Sequence, residues 1–257
     1  MKHPERSIRR RMAAALDQLA LLPWTPWGPD LLDPEAFRGR RVVIIGPAET
    51  VIEELENVDV DTFDVVVRLN NGLGLSAADP PTLGRRTDIL VHNLREDGDR
   101  SAGAIPVSVL RAYQVGQVVY PHWRTPKLRR IYKAKQAELR RDNGPPLRLI
   151  PPSIMVKLRS EIGDRPPTVG VSAIAFFLAS PVAELAIYGF TFFETPYVSG
   201  YNNAVVTAAD ARHWVDARGA HEPLSEKAAI RKRLAASDKP PITLGRHVAR
   251  HLAGAVL

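Results

Sequence analysis

Apolar positions in this chain cluster in short runs separated by longer mixed segments. Val42–Ile45, Asp64–Leu69, Asp88–Val91, Gln117–Tyr120, Leu147–Ile150 and Leu185–Tyr188 read as strands, the first a continuous β-branched run of the kind buried on both faces of a parallel sheet. The segments between them are long enough for crossover helices. Helices are expected over Pro126–Arg141, Ser153–Ile162, Val171–Ala179 and Pro223–Ala235, with another near the C-terminus. This alternation predicts an α/β fold built on a single Rossmann-like, doubly wound, mostly parallel sheet. Ahead of it, a helix over roughly Ser7–Leu21 should give way to Pro23-Trp24-Thr25-Pro26-Trp27-Gly28-Pro29, whose prolines lack amide donors and preclude regular structure. Residues 1–39 are therefore expected to form a helical arm and linker, and residues 40–257 the compact domain.

At 257 residues the chain suits one such domain with decorations. It has no cysteine, which excludes disulfides, thiolate nucleophiles and cysteine-type zinc sites and fits a reducing compartment. No run reaches the roughly 18 apolar residues of a membrane span, and the start lacks a small-residue cleavage site. A cytoplasmic protein is expected, with the basic N-terminal helix a candidate peripheral contact at the inner face of the membrane. The formal charge of +7 favours anionic partners. Its clusters, Arg6–Arg11, Lys127–Arg141 and Lys227–Arg233, lie in helical contexts without interleaved aromatics, so solvated helix faces are expected and nucleic acid is not.

Candidate chemistry sits at strand ends and helix starts. Gly46-Pro47-Ala48 follows the first strand, where an open α/β sheet places its ligand crevice, yet it is neither a GxGxxG fingerprint nor a GxxxxGK[ST] loop. Arg68 and Asn70 end the second strand. Asn70 is placed to bond a phosphate or a base, or else Arg68 pairs with a carboxylate and Asn70-Asn71-Gly72 is a turn. Thr168 and Gly170 precede a helix, where unpaired amides and the positive dipole end attract anions, or where a Thr cap and a Gly turn suffice. His221 lies at a loop-to-helix junction, where one tautomer can be held for proton transfer, though a lone His is more often structural. Asp59-Val60-Asp61 and Asp97-Gly98-Asp99 formally match the DxD metal pattern, but neither ends a strand.

Taken in order, these pieces resemble the sialyltransferase family with four sialylmotifs, in a cysteine-free, bacterial-looking version. The resemblance spans roughly Arg41 to Leu234. The large motif resembles Val42-Val43-Ile44-Ile45-Gly46, Phe63 through Asn70, and Gly84-Arg85-Arg86-Thr87-Asp88; the small motif resembles Pro167-Thr168-Val169-Gly170 through Tyr188-Gly189-Phe190. His213-Trp214 looks like the third motif, and His221 to Glu226 fits the very small one. Pro47-Ala48-Glu49 departs from the family's Asn-Ser-Gly, and Val42 and Val182 stand near the places of its paired cysteines.

The resemblance implies an inverting, metal-independent glycosyltransferase. It would move a 2-keto sugar acid, sialic acid or Kdo, from a CMP-activated donor to a hydroxyl of an oligosaccharide or glycolipid, with no cofactor beyond this co-substrate. It implies donor contacts at Gly46, Asn70, Thr168 and Gly170, with His213 supporting the phosphate, His221 as base and Glu226 structural. Tyr201 and Asn202, with Tyr197, would face the sugar's distinguishing substituents. Two rivals remain: a metal-dependent sugar-nucleotide transferase using an Asp pair, and a nucleotide- or polyanion-binding module without catalysis.

Overall fold

The computed structural model describes residues 30–78, 80–97, 101–202, 205–216, 221–236 and 239–253. The expected N-terminal helix, the Pro/Trp segment and Asp99 lie outside the described residues. No described helix is long and apolar enough to cross a membrane.

The strands are β1 (Arg41–Ile45), β2 (Val65–Leu69), β3 (Ile89–Val91), β4 (Gln117–Tyr120), β5 (Leu147–Leu149), β6 (Glu184–Tyr188) and β7 (Ile242–Leu244). They form a seven-stranded sheet in the order β5-β4-β3-β2-β1-β6-β7. Every neighbouring pair is parallel, with Val42 opposite Val65 and Leu185 at the centre. Parallel pairing demands crossovers, which the helices supply: α1 (Val51–Leu55), α2 (Gly72–Ala78), α3 (Pro80–Leu83), α4 (Val107–Ala112), α5 (Pro126–Arg141), α6 (Pro152–Glu161), α7 (Val169–Leu178), α8 (Ala208–Asp216), α9 (Pro223–Leu234) and α10 (Arg246–Ala253).

Period-two geometry divides β1 between two cores. Val42 and Ile44 pack with Val67, Leu69 and the apolar residues of α6 and α7, whereas Val43 and Ile45 pack with Val51, Leu55 and Phe63 on the opposite face. Helix α7 contacts the sheet, α6 and α9, which is why nine of its ten residues are buried and its sequence carries almost no polar face. Outboard, Leu90, Val118 and Tyr120 pack under α4 and α5.

The compact unit also takes in residues ahead of Arg40. Leu32 N and Leu149 N bond the chain of residues 30–32 to the edge of β5, and Phe37 is buried edge-on against Phe176 and Phe177.

Candidate functional site

The chain runs outward from β1 through β2 to β5, then returns to β6 on the other side of β1. That reversal places the expected ligand crevice outside the carboxyl ends of β1 and β6. Two glycines make the ends meet. A Cβ on Gly46 would overlap the Gly189 carbonyl, and one on Gly189, at φ +72°, would lie 2.6 Å from the Gly46 carbonyl oxygen. Glu54 of α1 fixes the junction: its carboxylate accepts the Gly189 amide at 2.6 Å and, from the start of α10, those of His247 and Val248 at 2.7 and 3.0 Å.

The loop after β1 has little left to offer an anion. The Gly46, Ala48 and Glu49 amides donate to Tyr188, Gly189 and Pro196 carbonyls at 2.8, 3.0 and 3.1 Å, and Pro47 has no amide hydrogen. Gly46 thus permits close approach of two strands, and its amide is spent on the Tyr188 carbonyl.

Helix α7 opens differently. The Thr168 hydroxyl accepts the Val171 amide at 3.3 Å and donates to Glu226 Oε2 at 2.8 Å, while the Thr168 amide donates to Glu226 Oε1 at 2.7 Å. The next amides, Val169 and Gly170, belong to the first helical turn, which has no intrahelical acceptors. Both residues line the crevice. Gly170 is there for space, because a Cβ would come within 2.6 Å of Phe190 Cε1.

Glu226 is 1% exposed, and burial pushes its carboxyl up to about 7 despite the two Thr168 bonds. His221 sits 3.9 Å from it through Nδ1 and, closer, 2.8 Å from the Pro166 carbonyl oxygen through the same atom. A carbonyl accepts only, so Nδ1 carries the hydrogen and the lone pair is on Nε2. The ring lines a wide cleft of about 1990 Å³, measured with its space open to solvent.

Asn70, at φ 46°, accepts the Asn93 amide at 3.0 Å through Oδ1 and points Nδ2 toward the buried Tyr201 hydroxyl at 3.5 Å. Asn70, Thr168, Val169, Phe193 and Tyr197 line both the wide cleft and the inner crevice of about 620 Å³, so the two are continuous. The inner wall carries Phe192 and Phe193 at φ 51° and 65°, conformations that bulky residues rarely adopt and that mark a constrained loop. That loop is tied down at Glu194, which binds Lys227 at 2.7 Å and His251 at 3.2 Å.

The structure thus gathers Asn70, Thr168, Gly170, Tyr201 and His221 around one continuous space. His213, exposed on α8, and Asn202 are not among the described residues that line this space. Arg68 makes no ion pair with a carboxylate among the described residues. It is 1% exposed and donates to the carbonyls of Leu83, Gly84 and Arg86 and to the Thr87 hydroxyl, and desolvation lowers its pKa to about 10. The Asp59/Asp61 pair is likewise spent on backbone, Asp59 capping a short 3-10 turn and Asp61 accepting the Arg85 and Arg86 amides. Among the described residues no three His, Cys, Asp or Glu side chains converge on a metal-sized site.

Residues that no sequence spacing had marked as site residues complete the wide cleft: Arg95 after β3, and His122, Thr125 and Lys127 after β4. The His122 pKa is lowered to about 3, first by desolvation and then by the charges of His221, Arg95 and Arg159.

No family model and no curated protein matches this chain. Solved structures do. A variant of the sialyltransferase Cst-II in complex with CMP superposes at a TM-score of 0.50, with 14% identity over 83% of this chain and 83% of that one. A second Cst-II variant, also with CMP, gives 0.50 at 13% identity over 80% and 81%. The fold is the sialyltransferase fold. A third structure, CstII from Campylobacter jejuni with the substrate analogue CMP-3FNeuAc, gives 0.49 at 14% identity over 80% and 81%. Identity this low establishes architecture, and chemistry must be argued from the site.

Proposed function

We propose that this protein is a glycosyltransferase that transfers a 2-keto sugar acid from a CMP-activated donor to a glycan hydroxyl. The observation that carries the reading is His221, held by the Pro166 carbonyl so that Nε2 is basic, on the wall of a cleft continuous with the β1/β6 crevice. Solved proteins of the same fold bind CMP, and the order of motifs agrees.

In this scheme the nucleotide lies in the crevice, with Asn70 and the α7 start as its polar contacts. The acceptor oxygen attacks the anomeric carbon from the His221 side as its proton passes to Nε2. The sugar–phosphate bond breaks on the opposite face, giving inversion, and CMP takes the electron pair. The Val169 and Gly170 amides and the α7 dipole offset the phosphate's developing charge, so no step requires a metal. Glu226 supports the helix start and the Thr168 hydroxyl, and lies close enough to stabilise a protonated His221. Tyr201 positions Asn70, and Tyr197 is the better placed of the loop tyrosines to meet the sugar.

A panel of CMP-sugars, assayed for released CMP with and without glycan acceptors, tests the reading. CMP-sialic acid or CMP-Kdo should release CMP, and CMP at a hundredfold excess over its Kd should stabilise the protein by about 2.7 kcal/mol, undiminished by EDTA. Stabilisation that needs added divalent metal, or no CMP binding at all, would contradict it.

A further inference from the structure

The wide cleft continues past His221 to the carboxyl ends of β3 and β4, and its far end is built for negative charge. Arg95 and Lys127 are both exposed on its wall, and neither makes an ion pair among the described residues. Among the described residues on the same wall Asp97 is the one acid, so the cations outnumber it. Helix α5, sixteen residues long, starts there, with Thr125 as its cap. Its positive dipole end adds to the two cations.

A second observation is independent of these charges. Tyr120, at the end of β4, is fully buried, yet its hydroxyl has no hydrogen-bond partner among the described residues. A buried donor left unpaired costs about 1–3 kcal/mol. Tyr120 lines this cleft, its ring edge-on to His122 at 5.8 Å, and the charge of Arg95 acts on both rings.

The position separates this end from the donor. β4 stands three strands from β1 in the sheet order, roughly 14 Å at the usual spacing. The nucleotide of the proposed donor belongs at the β1/β6 switch; His221 lies 3.9 Å from Glu226 of that crevice, and its charge acts on His122 toward the cationic end. Resting on the transferase reading above, we propose that the β3/β4 end of the cleft is an acceptor subsite for an anionic group, a carboxylate or phosphate, and that the acceptor is an acidic sugar or sugar phosphate. Arg95 and Lys127 would hold the anion, and the Tyr120 hydroxyl would donate to it.

Ligand-observed NMR on the full chain, with CMP present, tests this with methyl glucuronide and glucose 6-phosphate against neutral methyl glucoside. At low salt the anionic sugars should bind about tenfold more tightly, and added salt should reduce that preference. Arg95→Gln with Lys127→Gln should bring the two classes near parity while leaving CMP affinity unchanged. Tyr120→Phe should weaken anion binding without lowering thermal stability, because the lost hydroxyl has no partner among the described residues. Equal binding of neutral and anionic sugars, or a preference that survives the double substitution, overturns the proposal. With an active donor in hand, the variants should raise KM for the acceptor; a rise confined to the donor assigns the subsite to the donor's own carboxylate and also overturns it. CMP binding is read separately, so loss of the transferase reading and loss of this one give different results.

Discussion

Two helices of this protein begin against a buried carboxylate from another element, and they differ in what remains open. At α10, Glu54 accepts the His247 and Val248 amides together with the Gly189 amide, and the Ala249 amide goes to the Gly245 carbonyl. That start spends its second and third amides on the carboxylate. At α7, Glu226 takes the amide and hydroxyl of Thr168 alone, leaving the first-turn amides of Val169 and Gly170 on the crevice wall. The same device therefore closes a junction in one place and orients an anion site in the other. A carboxylate that accepts from the cap residue, and not from the first-turn amides, leaves the positive end of the helix available to a ligand.

Removing each carboxylate should expose this contrast. Glu54→Ala leaves three amides without their acceptor, two of them buried, and should lower unfolding free energy by roughly 3 kcal/mol or more in a urea titration. Glu226→Ala should cost less, about 1–3 kcal/mol. Equal losses would mean that the two starts are equivalent.

The next effect is on pH dependence. The Glu226 carboxyl rises from 4.5 to about 7 on folding, so the folded state holds a proton that the unfolded state has released between those values. Stability from this group is greatest below pH 4.5 and falls as pH rises to about 7, by at most about 3 kcal/mol. Glu226→Gln should remove that slope, so denaturation curves at pH 4.5 and 7 should show the variant gaining on the wild type. A constant difference across this window would contradict the buried, raised carboxyl.

Gly170→Ala should have the smallest effect on folding, about 1–2 kcal/mol, because the new methyl meets the Phe190 ring, which can shift. It should still weaken CMP binding, since it narrows the wall beside the open amides. A stable variant with unchanged CMP affinity would move the phosphate away from this helix start.

The fold was legible where burial and local chemistry agree. Gln117–Tyr120 and Pro126–Arg141 stand as read, the latter because Thr125 caps it, Pro126 suits its first position and Asp142 ends it. Helix α7 starts two residues before the expected Val171 because Thr168 is itself the cap. β7 went unseen: it is three residues long, partly exposed, and held mainly by backbone pairing to β6. Helices of four to nine residues such as α1, α3 and α8 are too short to carry a reliable period.

The site divides in the same way. Thr168 and His221 were marked by a cap position, a loop-to-helix junction and the order of the motifs, and the structure places both on the wide cleft. Arg68 could not be assigned, because its partners are backbone carbonyls that have no sequence signature. Arg95, Tyr120 and Lys127 meet only because β3 and β4 end side by side, a tertiary adjacency that leaves no spacing in the chain.

The most direct test of the account is His221→Ala, with transfer from CMP-sialic acid or CMP-Kdo and CMP affinity measured on the same protein. A base that acts on the acceptor proton matters chiefly in the transition state, so transfer should fall about 100-fold or more while CMP affinity stays within about threefold. Near-normal turnover in the variant, or a loss of CMP binding equal to the loss of transfer, would contradict the assignment of His221 as the base.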